Sequence, residues 1–357
     1  MVTLYIISTT PYAGKTALCV ALGRRFRKDG YRIGYMRPVT TTKARIGECM
    51  VDEEAELMRQ TLSLEDPVYS IWPVCLDPAT VEAVLHGEGE DYMKMITDAF
   101  AQVSKDKDIV LLESGSRCSQ GMGVGLSCDR VADELGAKAL LVAKYDVSTV
   151  VVIDDLLADK QRLGDKVLGV VLNAVDRDRV DYVRELVVPF LEKNGLPVLA
   201  VLPADRVLNS VTVSQLVDDL QGEVICRPDL GNELVENLMI GAMSVDASLS
   251  YFRRSLNKAV ITGGDRPDIQ LAALETSTKC LVLTGNFHPN PLIINRAEEA
   301  GVPIILVKHD TMATVQLVQD SFRKIRFHHP KRIDRFERIV GERFDFAALY
   351  QALGLQK

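Results

Sequence analysis

Over its first two hundred residues the chain alternates short, continuously apolar, β-branched runs with amphipathic stretches of helical period. Few architectures survive that pattern. The apolar runs are LYIIS at 4–8, RIGYM at 32–36, DIVLLE at 108–113, AKALLVA at 137–143, VLGVVLN at 167–173 and LPVLAVLP at 196–203. Helical stretches fall near 16–28, 52–62, 79–86, 91–105, 148–163 and 178–193. A strand that is apolar at every position must be covered on both faces, and a helix between successive strands supplies the cover. The pattern predicts an α/β fold with a doubly wound parallel sheet.

After Pro203 the rhythm changes. One last connection runs to Gly222, and a second, smaller α/β unit begins. Its strands are read at 238–243, 258–263, 279–285 and 302–308, with helices near 246–254, 267–276, 291–300 and 311–321. The expected organisation is a first domain over 1–220, a second domain over 221–330 and a helical tail over 331–357. A length of 357 residues agrees with two domains at about 150 residues each.

Composition narrows the function classes. Lys+Arg 42 against Asp+Glu 49 gives a net charge of −7, so a chain-wide basic footprint for nucleic acid is absent. One local contrast is the stretch Ser321–Arg343, with eight Lys/Arg against three Asp/Glu, which reads as a solvated helical face or a basic patch. No apolar run reaches the roughly 18–20 residues that cross a bilayer, and the start lacks a signal-peptide pattern, so a cytoplasmic location is expected. Seven cysteines without a CxxC pair argue against a disulfide framework and a zinc ribbon. His86 is the only histidine before His288, which argues against a histidine-ligated metal centre there.

The sharpest chemical signal is STTPYAGKT at 8–16, between the first strand and the first helix. A phosphate loop needs inward backbone N–H groups, a lysine for the outer phosphates and a hydroxyl for Mg²⁺, all at a helix N-terminus. Gly14, Lys15 and Thr16 meet the second half of that demand, whereas Thr9 stands where GxxxxGK[ST] has its first glycine. The candidate nucleotide contacts are Thr9, Thr10, Tyr12, Ala13, Gly14, Lys15, Thr16 and Ala17; the bland alternative is a strand–turn–helix that carries Gly-Lys-Thr. Other candidates lie at strand ends, where doubly wound sheets bind ligands. Arg37 can meet a carboxylate or phosphate bidentately. Glu113 can hold Mg²⁺ directly or through water. Asp52, Glu53 and Glu54 offer a second carboxylate, or simply complement a helix dipole and cap it. Asn173 is read as a hydrogen-bonding group for a base edge or as a plain turn residue.

These residues together resemble the dethiobiotin synthetase family, and more closely the dethiobiotin-synthetase-like N-terminal region of long bacterial phosphotransacetylases. The shared pattern is the loop from Ser8 to Gly14-Lys15-Thr16, the segment Gly34–Val39, Glu113 after an apolar strand, Asn173 in GVVLN and the run ending at Pro203. The second unit resembles a DRTGG domain through IGAM (240–243), ITGGDRPD (261–268), LTGN (283–286), GVPIILV (301–307) and HDTMATV (309–315).

The resemblance implies that Lys15 binds ATP phosphates and that Thr16 and Glu113 hold Mg²⁺, with Glu54 or Asp52 as the other metal carboxylate. It places Arg37 where dethiobiotin synthetases carry a lysine that engages substrate, and Ser8 where they carry the first loop glycine. Arginine keeps the charge without the compact geometry. The phosphotransacetylase catalytic domain would follow the DRTGG domain, so a different activity is expected of these 357 residues. In the second unit, Gly263, Gly264, Asp265 and Arg266 form either an anion or nucleotide site, or a dimer contact, or a tight capped turn. His309, Asp310 and Thr311 end a neighbouring strand.

The expectation is therefore an ATP- and Mg²⁺-binding regulatory or assembly module. Its expected partners are a nucleotide, a second copy joined through the DRTGG-like domain, and a separate acyl-transfer enzyme. The alternative is an ATP-dependent enzyme that activates a carboxylate or carbamate, as dethiobiotin synthetase or cobyrinic acid a,c-diamide synthase does. In it Lys15 and Arg37 would be the catalytic residues.

Overall fold

The computed structural model describes residues 1–41, 44–46, 49–145, 148–323, 327 and 329–355. It divides into two units, Met1–Ala204 with Phe327–Lys357 and Asp205–Arg326.

The first unit is built on six strands: β1 (Val2–Ser8), β2 (Ile33–Met36), β3 (Ile109–Glu113), β4 (Lys138–Lys144), β5 (Val167–Val175) and β6 (Val198–Pro203). Their order is 6-5-4-1-3-2, and every pairing is parallel. β1 is central, with Ile6 opposite Glu113 on one side and Ser8 opposite Val142 on the other. All five residues of β3 are buried. That explains its continuous apolar run: helices cover both faces, so no position faces water.

Helix α1 (Lys15–Lys28) follows β1 and buries Leu18, Cys19, Leu22 and Phe26. Arg25, Arg27 and Lys28 in its last turn complement the dipole. The helices α2 (Glu53–Thr61), α3 (Tyr92–Val103), α4 (Cys128–Glu134) and α5 (Thr149–Leu163) also match helical stretches of the sequence or its loops. The stretch read as one helix near 178–193 is interrupted by a π segment at Val183–Val187. Pro189 lies just beyond. It has no N–H for the carbonyl four residues back, and a wider turn before it relieves the misfit.

The pattern placed a seam at 220, whereas the units divide after Ala204. Residues 205–220 carry helix α6 (Val213–Leu220), whose Val213, Leu216 and Leu220 join a core cluster with Ala259, Ile261 and Val282 of the second unit. Apolar periodicity tells that a helix has a sheet to cover, not which sheet. The same limit hides the destination of the tail. Its helices Pro330–Arg343 and Phe346–Leu353 belong to the first unit: Arg24 pairs with Glu337 at 2.9 Å, the Arg25 guanidinium lies 4.6 Å from the Phe346 ring centre, and Tyr350 donates to Asp29. The basic stretch from Ser321 falls partly outside the described residues.

The second unit has β7 (Glu223–Cys226), β8 (Asn237–Ile240), β9 (Lys258–Gly263), β10 (Thr278–Thr284) and β11 (Ile304–Leu306) in the order 7-11-10-9-8. Four strands run parallel, and β7 closes one edge antiparallel to β11. Helices α7 (Val245–Phe252), α8 (Pro267–Leu274) and α9 (Pro291–Ala300) connect the parallel strands, and α10 (Thr311–Arg323) follows the last of them. No helix among the described residues is long and apolar enough to cross a membrane.

Lys258 is fully buried at the start of β9, its ammonium donating to the Ser277 carbonyl at 3.0 Å and the Ser255 carbonyl at 3.2 Å. Burial lowers its pKa from 10.5 to about 8. Between those two values the unfolded chain binds more protons than the folded one, so this lysine makes stability rise with pH across that window. The difference in thermal midpoint between wild type and Lys258→Met, followed by circular dichroism from pH 8 to pH 10.5, is expected to shift steadily in favour of the wild type.

Candidate functional site

The loop between β1 and α1 turns through two left-handed residues, Tyr12 (φ 55) and Gly14 (φ 96). Gly14 has a second reason to be glycine. A Cβ there would collide with the side-chain nitrogen of Asn173. That nitrogen donates to the Ala13 carbonyl at 2.9 Å, so Asn173 braces the loop from the end of β5 in this structure. Thr9 is anchored through its N–H to the Val142 carbonyl at 3.3 Å, Ala13 and Ala17 are buried, and Tyr12 is 60% exposed. Helix α1 begins without a side-chain cap and without an acidic residue in its first turn. Its first N–H groups and the positive end of its dipole are thereby kept for an anion.

Two buried chains of hydrogen bonds meet at this helix start. In one, the Lys15 ammonium donates to Ser8 Oγ at 2.8 Å, and the Ser8 hydroxyl has the Thr10 carbonyl at 2.9 Å and the Ser116 carbonyl at 3.1 Å. Burial lowers the Lys15 pKa, and nearby Glu113 pulls it the other way. In the other, Glu113 is completely buried at the end of β3 and accepts from Thr16 Oγ1 at 2.7 Å and from Tyr35 OH at 2.9 Å. Burial, and then the Glu113 charge, raise the Tyr35 phenol well above its ordinary pKa, which keeps it a donor. The Thr16 hydroxyl and Glu113 carboxylate are hard oxygen donors side by side, a pair that suits Mg²⁺ bound together with phosphate.

Arg37, Asp52 and Glu54 form a separate cluster. Arg37 pairs with Asp52 at 3.3 Å and with Glu54. Asp52 also accepts from the Ala55 N–H at 2.8 Å, capping α2, and from Thr40. Burial works against the Arg37 charge, but Glu113 and Asp52 outweigh it and raise its pKa. The structure thus brings Lys15, Thr16 and Glu113 together, and it commits Asp52 and Glu54 to Arg37. No group of three or more His, Cys, Asp or Glu among the described residues is arranged to hold a metal ion. Ser8, Tyr35 and Thr40 are the partners that pattern reading did not assign. Tyr35 had one signal, its i, i+2 spacing from Arg37, which directly follows the same strand.

In the second unit the Gly263–Arg266 turn is bonded internally. The Gln270 amide donates to the Gly263 and Gly264 carbonyls at 2.9 and 3.1 Å, and the Gly264 N–H donates to Thr284. Arg266 pairs with Asp268 at 3.1 Å, and Asp265 lies next to the glycines at the turn. Nearby, Thr284 and Thr311 share a hydroxyl hydrogen bond at 2.9 Å, Asp310 caps α10 through the Ala313 N–H, and the His309 carbonyl accepts from Gly285.

A doubly wound sheet whose first strand feeds a lysine- and threonine-bearing loop into a helix defines the class of P-loop α/β proteins. The chain belongs to the AAA domain family, whose model matches residues 2–212, and a DRTGG domain model matches residues 215–321. The phosphate acetyltransferase of Nitrosomonas europaea is 25% identical over 95% of this chain and 50% of its own length. The chain therefore spans about half the length of the curated relatives it matches. The ATP-dependent dethiobiotin synthetase of Caldicellulosiruptor saccharolyticus is 27% identical over 32% of this chain and 47% of its own. Among solved structures, the CBS and DRTGG domains of the regulatory region of Clostridium perfringens pyrophosphatase, complexed with its activator diadenosine tetraphosphate, align at 18% identity and a TM-score of 0.28. That alignment covers 41% of this chain and 70% of the other.

Gly14→Ala tests the loop geometry. The strained φ and the clash with Asn173 predict a loss of roughly 1–3 kcal/mol, measured by urea unfolding.

Proposed function

We propose that the first unit binds Mg·ATP and that the chain works as a nucleotide-responsive regulatory or assembly module, with the DRTGG domain as its second element. The observation that carries this reading is the convergence of Lys15, Thr16 and Glu113 at an uncapped helix start. Lys15 would meet the outer phosphates, the N–H groups of the loop and of α1 would cradle them, and Thr16 with Glu113 would hold the cation. Mg²⁺ bound there would neutralise phosphate charge. Names of relatives support the same direction, since one is an ATP-dependent dethiobiotin synthetase.

The rival reading is ATP-dependent activation of a carboxylate or carbamate. It requires Arg37 to be open to substrate. Arg37 is held by Asp52 and Glu54, which favours the regulatory reading.

Isothermal titration with Mg·ATP tests the proposal. Wild type is expected to bind, Lys15→Ala to bind on the order of 10–100-fold more weakly, and Glu113→Gln to bind ATP with little response to Mg²⁺. Absence of wild-type binding would overturn the reading. ADP release stimulated by members of a carboxylate and diamine panel would support the rival.

The DRTGG domain is also proposed to pair copies of the chain, and a separate acyl-transfer enzyme is the proposed protein partner, to be sought by co-purification. Light scattering is expected to give a mass of at least twice 39.5 kDa; a strictly monomeric mass would exclude self-pairing.

A further inference from the structure

Ser8 occupies a position the nucleotide reading leaves unused. It is fully buried at the last residue of β1, and its hydroxyl is the meeting point of three segments. The Lys15 ammonium donates to it at 2.8 Å from α1. The Thr10 carbonyl lies 2.9 Å away in the phosphate loop, and the Ser116 carbonyl lies 3.1 Å away in the segment that follows Glu113. A glycine here could make none of these bonds.

The segment reached through Ser116 is suited to change. It runs from Ser114 to Ser127 between β3 and α4 and consists of turns, bends and a short 3-10 helix at Met122–Val124, with Cys118 and Leu126 anchored in the core. Gly121 and Gly125 have left-handed φ values of 84 and 75, Gly123 has open space around it, and Met122 is 52% exposed. Besides Ser8, its start is held by the Ser114 N–H, which donates to the Ile6 carbonyl of β1 at 3.0 Å, and by bonds from the Ser116 hydroxyl and N–H to Gln120.

We propose that Ser8 is a latch coupling nucleotide occupancy to the 114–127 segment. In this structure Ser8 accepts from Lys15 and shares its single hydroxyl hydrogen between the Thr10 and Ser116 carbonyls, so lysine, phosphate loop and segment meet at one oxygen. Phosphate oxygens compete for the same ammonium hydrogens, and they carry charge, which makes them the stronger acceptors. When Lys15 turns to them, the Ser8 hydroxyl loses the donor that orients it, and its bond to Ser116 weakens. The segment then opens near the nucleotide, with the exposed Met122 as its outermost apolar group. Ser8 is a positioning residue in this scheme and has no bond-making role. The inference rests on the Mg·ATP reading of the same loop.

Hydrogen exchange read by mass spectrometry, combined with titration calorimetry, tests it on the full chain. In wild type, saturating Mg·ATP is expected to speed exchange of the 116–127 amides. Ser8→Ala is expected to keep Mg·ATP binding, about two- to tenfold tighter because Lys15 no longer has a competing acceptor. Its 116–127 amides are expected to exchange fast with and without nucleotide. Ser8→Gly, which likewise removes the hydroxyl, is expected to do the same and guards against a folding defect peculiar to alanine. If wild type binds Mg·ATP with no change in 116–127 exchange, or if either variant keeps a nucleotide-dependent change, the latch is wrong and the binding reading stands. If wild type does not bind Mg·ATP, both fall.

Discussion

The carboxyl edge of the first sheet carries two opposite charges where there is almost no water. Lys15 and Glu113 are both buried, and neither can be placed there without partners, because an unpaired buried charge costs several kcal/mol. Much of the local structure answers that demand. Thr16 and Tyr35 give Glu113 its two hydrogen bonds, and Ser8 receives the lysine. To bring those groups together, β1, β2 and β3 must lie side by side in register, with the helix starting at the residue that follows Gly14. The doubly wound order provides that adjacency.

A second ionic set sits beside the first and is organised differently. Arg37 faces two carboxylates, one of which doubles as a helix cap. Lys15 and Glu113 have neutral hydrogen-bonding partners that a ligand can replace. The charges of Arg37 and Asp52 compensate each other, so a ligand must break an ion pair to use either. The fold thus offers one exchangeable polar set and one closed one, near enough for Glu113 to act on the Arg37 charge. This contrast is the physical reason for preferring a nucleotide-responsive module over an enzyme acting on a second substrate.

Most of the sheet was legible in the sequence because full burial leaves a continuous apolar run, as in DIVLLE and AKALLVA. The meeting of Thr16 and Glu113 beside Lys15 was legible too, since the loop pattern places given residue types at fixed positions relative to a strand and a helix. The partners were not. Nothing in the residue Tyr35 says that its hydroxyl ends on Glu113, because that contact depends on strand order. Asp52 and Glu54 are acids in a first helical turn, a pattern shared by metal ligands, caps and ion pairs, and only the position of Arg37 decides among them. The assignment of α6 to the second unit was not legible for a related reason: it has the apolar face of any crossover helix, and nothing in its own residues says which sheet it will cover.

The route of the chain through its two units has a consequence for how it folds. Asp205–Arg326 is an uninterrupted stretch, whereas the first unit takes its last helices from beyond residue 326. Domains emerging from a ribosome fold as their residues become available. The second unit can therefore be complete while the first still lacks the helices that pair with Arg24, Arg25 and Asp29 on α1 and its cap. The first unit begins before the second and is completed after it, with one face of its α1 waiting for the residues beyond 326.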